Sequence, residues 1–215
     1  QTYFGSLIVI TSDILTEFMT INDPKYVWST FSPDQIDLNF KNPEVLMRVI
    51  EILLLYVRHG ADIIRLDAVT FLWDQPGTHG AHLEQTHEIV KLFRDILDIA
   101  APGVAVITET NVPHEENISY FGNGRDEAQM VYNFALPPLV LHTFYNEDTT
   151  ALSEWAGDLK TLYKTTTFFN FLDSHDGVGL MGARNILLKQ EIDFIMQKAE
   201  EHGGLISYKT ARDGS

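Results

Sequence analysis

Three short stretches each carry an apolar run into an acidic residue: Ile63-Ile64-Arg65-Leu66-Asp67-Ala68, Val106-Ile107-Thr108-Glu109-Thr110-Asn111 and Phe171-Leu172-Asp173-Ser174-His175-Asp176-Gly177. On a strand the side chains alternate faces, so Arg65 and Asp67 point the same way. A guanidinium so placed holds the aspartate ionised and oriented, as a nucleophile requires, because a nearby opposite charge favours the charged form. Glu109 follows a strand apolar on both faces, so its carboxyl is expected at the edge of a partly desolvated cleft, with the raised affinity for a proton that suits a general acid. His175-Asp176 sits between Ser174 and Gly177, where a tight turn exposes both side chains and lets imidazole and carboxylate bind vicinal hydroxyls. One carboxylate to attack, one to protonate and a third beside an imidazole to bind hydroxyls is a set suited to glycoside chemistry. Taken singly, each motif also reads as a structural ion pair, a solvated cap or an ordinary turn.

The elements that position these groups follow from periodicity. Asn42-Pro43-Glu44 is a helix start, with an Asn cap, Pro at the first helical position and acid in the first turn, and Gly60 is its stop. The pattern predicts a strand over 61–66, a helix over 82–100 closed by Pro102-Gly103, and a strand over 104–108. It continues with a short helix over 115–121, a strand over 130–134, a helix over 152–162 and a strand over 166–172. Strands alternating with helices mean parallel βα units. Carboxylates at the C-terminal ends of such strands converge where a (β/α) barrel keeps its active site. Four strands with their helices are about half of an eight-fold barrel. The expected fold class is therefore α/β, a partial TIM (β/α)8 barrel covering roughly strands four to seven.

Residues 1–40 read as an irregular excursion, the end of an inserted loop subdomain. Residues 41–185 are expected to form the central part of the barrel, and residues 186–215 the start of a long loop after strand seven. A start at Gln1 and an end in a Gly- and charge-bearing stretch suggest part of a longer protein.

The 215 residues carry 30 acidic and 15 basic side chains, a formal charge of −15, which disfavours nucleic acid and anionic membrane surfaces as partners. A neutral sugar is unaffected. No apolar stretch approaches a membrane span and no leader pattern is visible, so a cytoplasmic location is expected. With no cysteine, disulfides and thiolate metal sites are excluded. His79, His82, Glu84, His87 and Glu88 cluster in sequence, but Lys91 stands where a zinc-peptidase motif needs histidine, so no metal is expected. Gly122-Asn123-Gly124 reads as a turn and not a dinucleotide loop, since Glu127 occupies the third glycine position. Asn117-Ile118-Ser119 matches a glycosylation acceptor by chance.

The three segments resemble the conserved regions of the alpha-amylase family, glycoside hydrolase family thirteen. Trp28-Ser29-Thr30-Phe31-Ser32-Pro33-Asp34-Gln35-Ile36-Asp37-Leu38-Asn39 and Tyr132-Asn133-Phe134-Ala135-Leu136-Pro137-Pro138-Leu139 extend the resemblance to its sucrose phosphorylase branch. Ile107-Thr108-Glu109-Thr110-Asn111-Val112-Pro113-His114 and the stretch 202–215 are similar to the glucosylglycerate phosphorylases and their sucrose 6-phosphate relatives within that branch.

The resemblance implies a retaining glycoside phosphorylase that passes a glucosyl unit from an alpha-glucoside, glucosylglycerate or sucrose-like, to phosphate through a covalent glucosyl-enzyme. It makes Asp67 the nucleophile, Glu109 the acid/base and Asp176 the transition-state stabiliser, with Arg65, His175, Phe31 and Gln35 binding substrate. His114 would face the acceptor. Phe71 stands where sucrose phosphorylases tend to carry a tyrosine. No cofactor is implied, only inorganic phosphate as co-substrate, with Arg125 and Arg184 as candidate ligands to it. The partners are a small sugar and phosphate, with no oligomeric state implied. Hydrolysis or transglucosylation on the same machinery, and a non-catalytic sugar-binding barrel, are the alternatives. The missing strands predict that the isolated chain is inactive.

Overall fold

The computed structural model describes residues 15–78, 80–159 and 163–206. The described residues fall into two compact units, one up to residue 104 and the other from residue 105.

The first unit opens with an antiparallel hairpin, β1 (Leu15–Met19) and β2 (Pro24–Trp28), in a register that sets Leu15 opposite Trp28. Its turn is closed by Thr20, whose hydroxyl donates to the Asp23 carbonyl at 2.6 Å and accepts from the Asp23 amide at 3.2 Å. This corrects the reading of residues 1–40 as irregular. Both strands are largely exposed, so neither shows the alternation by which a half-buried strand is recognised.

α1 (Pro43–Arg58) begins as expected: the Asn42 side chain accepts from the Glu44 amide at 3.0 Å, Pro43 occupies the first position, and Gly60 takes φ +88° just past the end. Only Leu53 of α1 is buried, while Met47, Ile52, Leu55 and Tyr56 are exposed. β3 (Ile63–Leu66) follows, then a 3-10 turn (Val69–Phe71). α2 (Glu84–Ala100) buries Ile89, Val90, Phe93 and Leu97 along one stripe, the spacing of a helix with a single buried face.

The second unit is built on three parallel strands, β4 (Ala105–Thr108), β5 (Met130–Tyr132) and β6 (Thr167–Phe169), with Ile107 opposite Met130 and Val131 opposite Phe168. Val106, Ile107 and Thr108 are all buried, so β4 is covered on both faces. Between β4 and β5 stand α3 (His114–Asn117) and a 3-10 turn (Ile118–Phe121). Gly124 carries φ +87°, and the Tyr163 ring fills the space where a Cβ would project. The Gly122–Gly124 stretch is thus the turn the sequence implied.

α4 (Leu136–Asn146) and α5 (Thr150–Asp158) lead to β6. The sequence pattern predicts a strand over 130–134 and no helix at 136, whereas β5 ends at Tyr132 and α4 starts at Leu136 with Pro137 and Pro138 as its second and third residues. Both lie in the first turn, where a missing N–H costs nothing. The predicted helical tail 160–162 lies outside the described residues. α6 (Lys189–Glu201) is a further correction, since no final element was expected beyond residue 186. The Glu191 carboxylate accepts from the Leu188 amide at 2.7 Å, half of a capping box entered from an apolar residue, which conceals the start from a search for Ser, Thr, Asp or Asn. Ala135, Leu139, Ala183, Leu187 and Ile195 form the core that joins α4, the 3-10 turn Met181–Ala183 and α6. Among the described residues, no helix is long and apolar enough to cross a membrane.

Candidate active site

Asp67 directly follows β3, and Arg65 Nη1 donates to its Oδ1 at 2.5 Å. The aspartate side chain is 71% exposed and that of the arginine 32%, so the pair presents the carboxylate to solvent from a guanidinium held nearer the backbone. This is the same-face arrangement that the strand period requires. Ala68, the next residue, sits in the left-handed region at φ +46°. A non-glycine residue there costs about 1–3 kcal/mol, and such strain collects where a neighbouring side chain must be aimed.

Phe31 is 53% exposed and meets Phe71 edge-on, ring centroids 5.5 Å apart at 89°. The contact seats Phe31 on the 3-10 turn that starts two residues after Asp67. The exposed Gln35 lies with its Oε1 at 2.8 Å from the Ser32 hydroxyl, which also reaches Asp34 Oδ1 at 2.7 Å. That hydroxyl bond is the main cause that lowers the Asp34 proton affinity below the ordinary carboxylate range. Both side chains are exposed on the same loop.

In the second unit Glu109 directly follows β4 and is half-buried. Its neighbour Thr110 is locked from below: the Thr110 hydroxyl donates to Asn117 Oδ1 at 2.6 Å, and Asn117 Nδ2 donates to the Tyr132 carbonyl at 2.7 Å, at the end of β5. Thr110 and Asn117 are each 2% exposed. Asn117 was legible in the sequence only as a chance glycosylation match, and its burial excludes that use. Replacing it with alanine removes both bonds and leaves buried polar groups without partners, each costing about 1–3 kcal/mol. Asn117→Ala is therefore expected to lower the melting temperature of the full-length parent by several degrees and to lower kcat, measured by thermal unfolding beside turnover.

His175 and Asp176 occupy the predicted turn beyond β6. The Gly177 amide donates to the Ser174 carbonyl at 3.0 Å with Gly177 at φ +76°, and the Asp176 amide donates to Ser174 Oγ at 3.2 Å. The two side chains stand outward, 77% and 65% exposed, with His175 Nε2 3.3 Å from Asp176 Oδ2. Gly179, farther along this loop, approaches Asn111, two residues past Glu109, so closely that a Cβ would lie 2.5 Å from Asn111 Nδ2. Because β4 and β6 both pair in parallel with β5, Glu109 and His175-Asp176 leave the same end of the sheet, and Gly179 lets their loops touch.

His114 stacks on Phe168, centroids 5.6 Å apart at 28°, and burial lowers its proton affinity, with Glu115 opposing. It opens α3 and is half-buried. The two candidate phosphate ligands part company. Arg125 lies in the turn whose Gly124 carbonyl accepts from Thr165 Oγ1 at 2.6 Å, just before β6 begins, which is the opposite end of the sheet from Glu109. Arg184 ends the 3-10 turn whose Gly182 packs against the backbone of Phe134 and Ala135, beyond the C-terminal end of β5. Only Arg184 is on the side of Glu109 and Asp176. The clustered His79 lies outside the described residues, and among those described no group of three or more His, Asp or Glu residues is set to hold a metal.

Parallel strands alternating with helices, with acidic residues just past their C-terminal ends, define part of a (β/α)8 barrel. Residues 19–190 match the alpha amylase catalytic domain, and the chain belongs to the alpha-amylase family. It is 57% identical over 201 residues to a glucosylglycerate phosphorylase of Allomeiothermus silvanus and 50% identical over 203 residues to one of Escherichia coli. Each match covers 94% of this chain and 36% of the relative, so the chain spans about a third of the length of these proteins. The crystal structure of a sucrose 6F-phosphate phosphorylase from Thermoanaerobacter thermosaccharolyticum superposes with a TM-score of 0.79 over 96% of this chain and 42% of that one, at 22% identity, and so shares the fold.

Proposed function

We propose that this chain is the central catalytic part of a retaining glycoside phosphorylase that moves a glucosyl unit from an alpha-glucoside, glucosylglycerate or a sucrose-like donor, to inorganic phosphate. The observation that carries the reading is the Arg65–Asp67 pair, an exposed carboxylate aimed by a guanidinium at the end of a strand. Identity of 50–57% to glucosylglycerate phosphorylases supports the choice of reaction.

In this mechanism Asp67 attacks the anomeric carbon while Glu109 gives its proton to the departing oxygen. The acceptor alcohol leaves, and the sugar is held as a glucosyl ester of Asp67. Phosphate, deprotonated by Glu109, then displaces the aspartate and departs as alpha-glucose 1-phosphate. Two inversions give net retention. Asp176 and His175 bind glucosyl hydroxyls more tightly as oxocarbenium character grows, and Phe31 and Gln35 line the sugar pocket. Arg184 is the basic group at the right end of the sheet for phosphate. No cofactor or metal enters any step. A cytoplasmic location goes with this reading, since intracellular phosphate is the co-substrate.

Alone, the chain is expected to be inactive, since the apolar side chains exposed on α1 require cover that the rest of the barrel supplies. The test therefore uses the full-length parent: glucose 1-phosphate release in phosphate buffer from sucrose, sucrose 6-phosphate, glucosylglycerate and glucosylglycerol. Release from one donor supports the reading and names the acceptor. Free glucose in its place makes the protein a hydrolase, and no reaction with any donor favours a non-catalytic sugar-binding barrel.

A further inference from the structure

The turn that presents His175 and Asp176 has little packing of its own. Leu172, Asp173, His175, Asp176 and Gly177 are all exposed. The bonds that shape it are internal: the Ser174 amide donates to Asp173 Oδ1 at 2.8 Å, and Ser174 in turn accepts from the amides of Asp176 and Gly177. Bonds of this kind set the form of a turn and leave its direction to the points where the segment meets buried structure.

Both of those points are on Phe134, which lies just past β5 and is 8% exposed. At the near end, residues 169–171 run beside residues 132–134. The Asn133 amide donates to the Phe169 carbonyl at 3.0 Å, and Asn133 Nδ2 donates to Asn170 Oδ1 at 2.9 Å. The Phe171 ring then meets Phe134 edge-on, centroids 5.2 Å apart at 85°, and meets Tyr132 at 5.3 Å and 72°. Tyr132 itself stacks on Phe134 at 5.6 Å and 24°. At the far end, Gly182 lies so close to the backbone of Phe134 and Ala135 that a Cβ would run into the Phe134 carbonyl. Gly182 and Ala183 are buried, Ala183 in one core with Ala135 and Leu139. Residues 172–181 therefore leave Phe134 at its ring and return to it at its carbonyl. The contact between these ends, Gly179 on Asn111, is with an exposed residue. Nothing in the mechanism above uses Phe134.

We propose that Phe134 is a positioning residue, a post that holds both ends of the 172–181 loop and so aims His175 and Asp176 at the sugar. The aiming rests on the function proposed above; the two-point attachment does not. An edge-on aromatic pair adds a directional attraction to its burial, so the Phe134 ring fixes where Phe171 sits. Glycine at 182 lets backbone approach backbone, and the close-packed interior behind it has no slack to absorb an added Cβ. Asp176 strengthens its contacts as oxocarbenium character grows, so a displaced tip costs transition-state binding more than donor binding.

The experiment uses the full-length parent with Phe134→Leu, which keeps an apolar side chain without the ring, and Gly182→Ala, which acts at the other end. Gly182→Ala removes nothing from the core and carries the test if Phe134→Leu does not fold. Without substrate, hydrogen exchange is followed by mass spectrometry. Each variant is expected to speed exchange within 172–181 severalfold and to leave α2 at the wild-type rate. With the donor that releases glucose 1-phosphate, kcat is expected to fall by about 10- to 100-fold, the scale of a small misplacement of a catalytic group, while donor KM holds. Unchanged exchange over 172–181 in either folded variant overturns the attachment, whether or not any donor reacts, and so does exchange that speeds equally in α2. Faster exchange beside a wild-type kcat overturns the aiming, as does a raised KM with kcat unchanged. A wild type that acts on no donor strikes the function proposed above, and exchange alone then decides the attachment.

Discussion

Asp67→Ala in the full-length parent is expected to reduce phosphorolysis of the accepted donor by about four to six orders of magnitude, the scale of deleting a nucleophile that works as part of a unit. The loss falls on kcat, because Asp67 forms a bond that exists only from the first transition state onward, while the glucosyl hydroxyls are held by other groups. Donor binding therefore survives, and isothermal titration of the variant with donor is expected to give an affinity within a few-fold of the wild-type KM. The carboxylate is 71% exposed, so its removal leaves no buried cavity and the variant should melt within a degree or two of wild type. A variant that still turned over at a tenth of the wild-type rate would remove Asp67 from the nucleophile's role.

Glu109→Ala is expected to separate substrates by their leaving groups. Donors with poorly stabilised alkoxide leaving groups, such as glucosylglycerate, need the proton that Glu109 supplies, and loss of a general acid costs about two to four orders of magnitude. Glucosyl fluoride departs without protonation, so formation of the glucosyl-enzyme from it should be nearly unaffected. The second step then stalls where the acceptor must be deprotonated, and azide, which needs no base, should restore turnover and yield glucosyl azide of retained configuration. Uniform loss across all donors, with no azide rescue, would instead mark Glu109 as a structural residue. The lock of Thr110 by Asn117 matters here, since it fixes the backbone from which Glu109 projects.

What could be read in the sequence was whatever is local. Asn42-Pro43 fixes the start of α1 by its own hydrogen bond and ring, and the runs 63–66 and 104–108 are apolar enough to be strands without reference to anything distant. The three acidic motifs, each ordinary by itself, stood out as a set because all three come in order at the ends of apolar runs. The hairpin Leu15–Met19/Pro24–Trp28 was hidden because it is exposed on both faces, so no burial pattern writes its period into the sequence. α4 was hidden by a Pro137-Pro138 pair whose meaning depends on which helical position it occupies.

The supporting groups of the site were hidden for a different reason. Asn117 becomes a brace only when the Tyr132 carbonyl of β5 lies within reach of its side-chain amide. Such roles are defined by tertiary neighbours and have no sequence period. Arg125 and Arg184 were equivalent candidates in the sequence for the same reason, and strand direction separates them.

The most direct test of the account is to trap the intermediate. The Glu109→Ala variant of the full-length parent is mixed with glucosyl fluoride, quenched in acid, digested and mapped by mass spectrometry. The account predicts an increment of one hexose residue on the peptide that contains Asp67, discharged to alpha-glucosyl azide when azide is added before the quench. An adduct on another residue, or phosphorolysis that yields the beta anomer with no adduct at all, would contradict it.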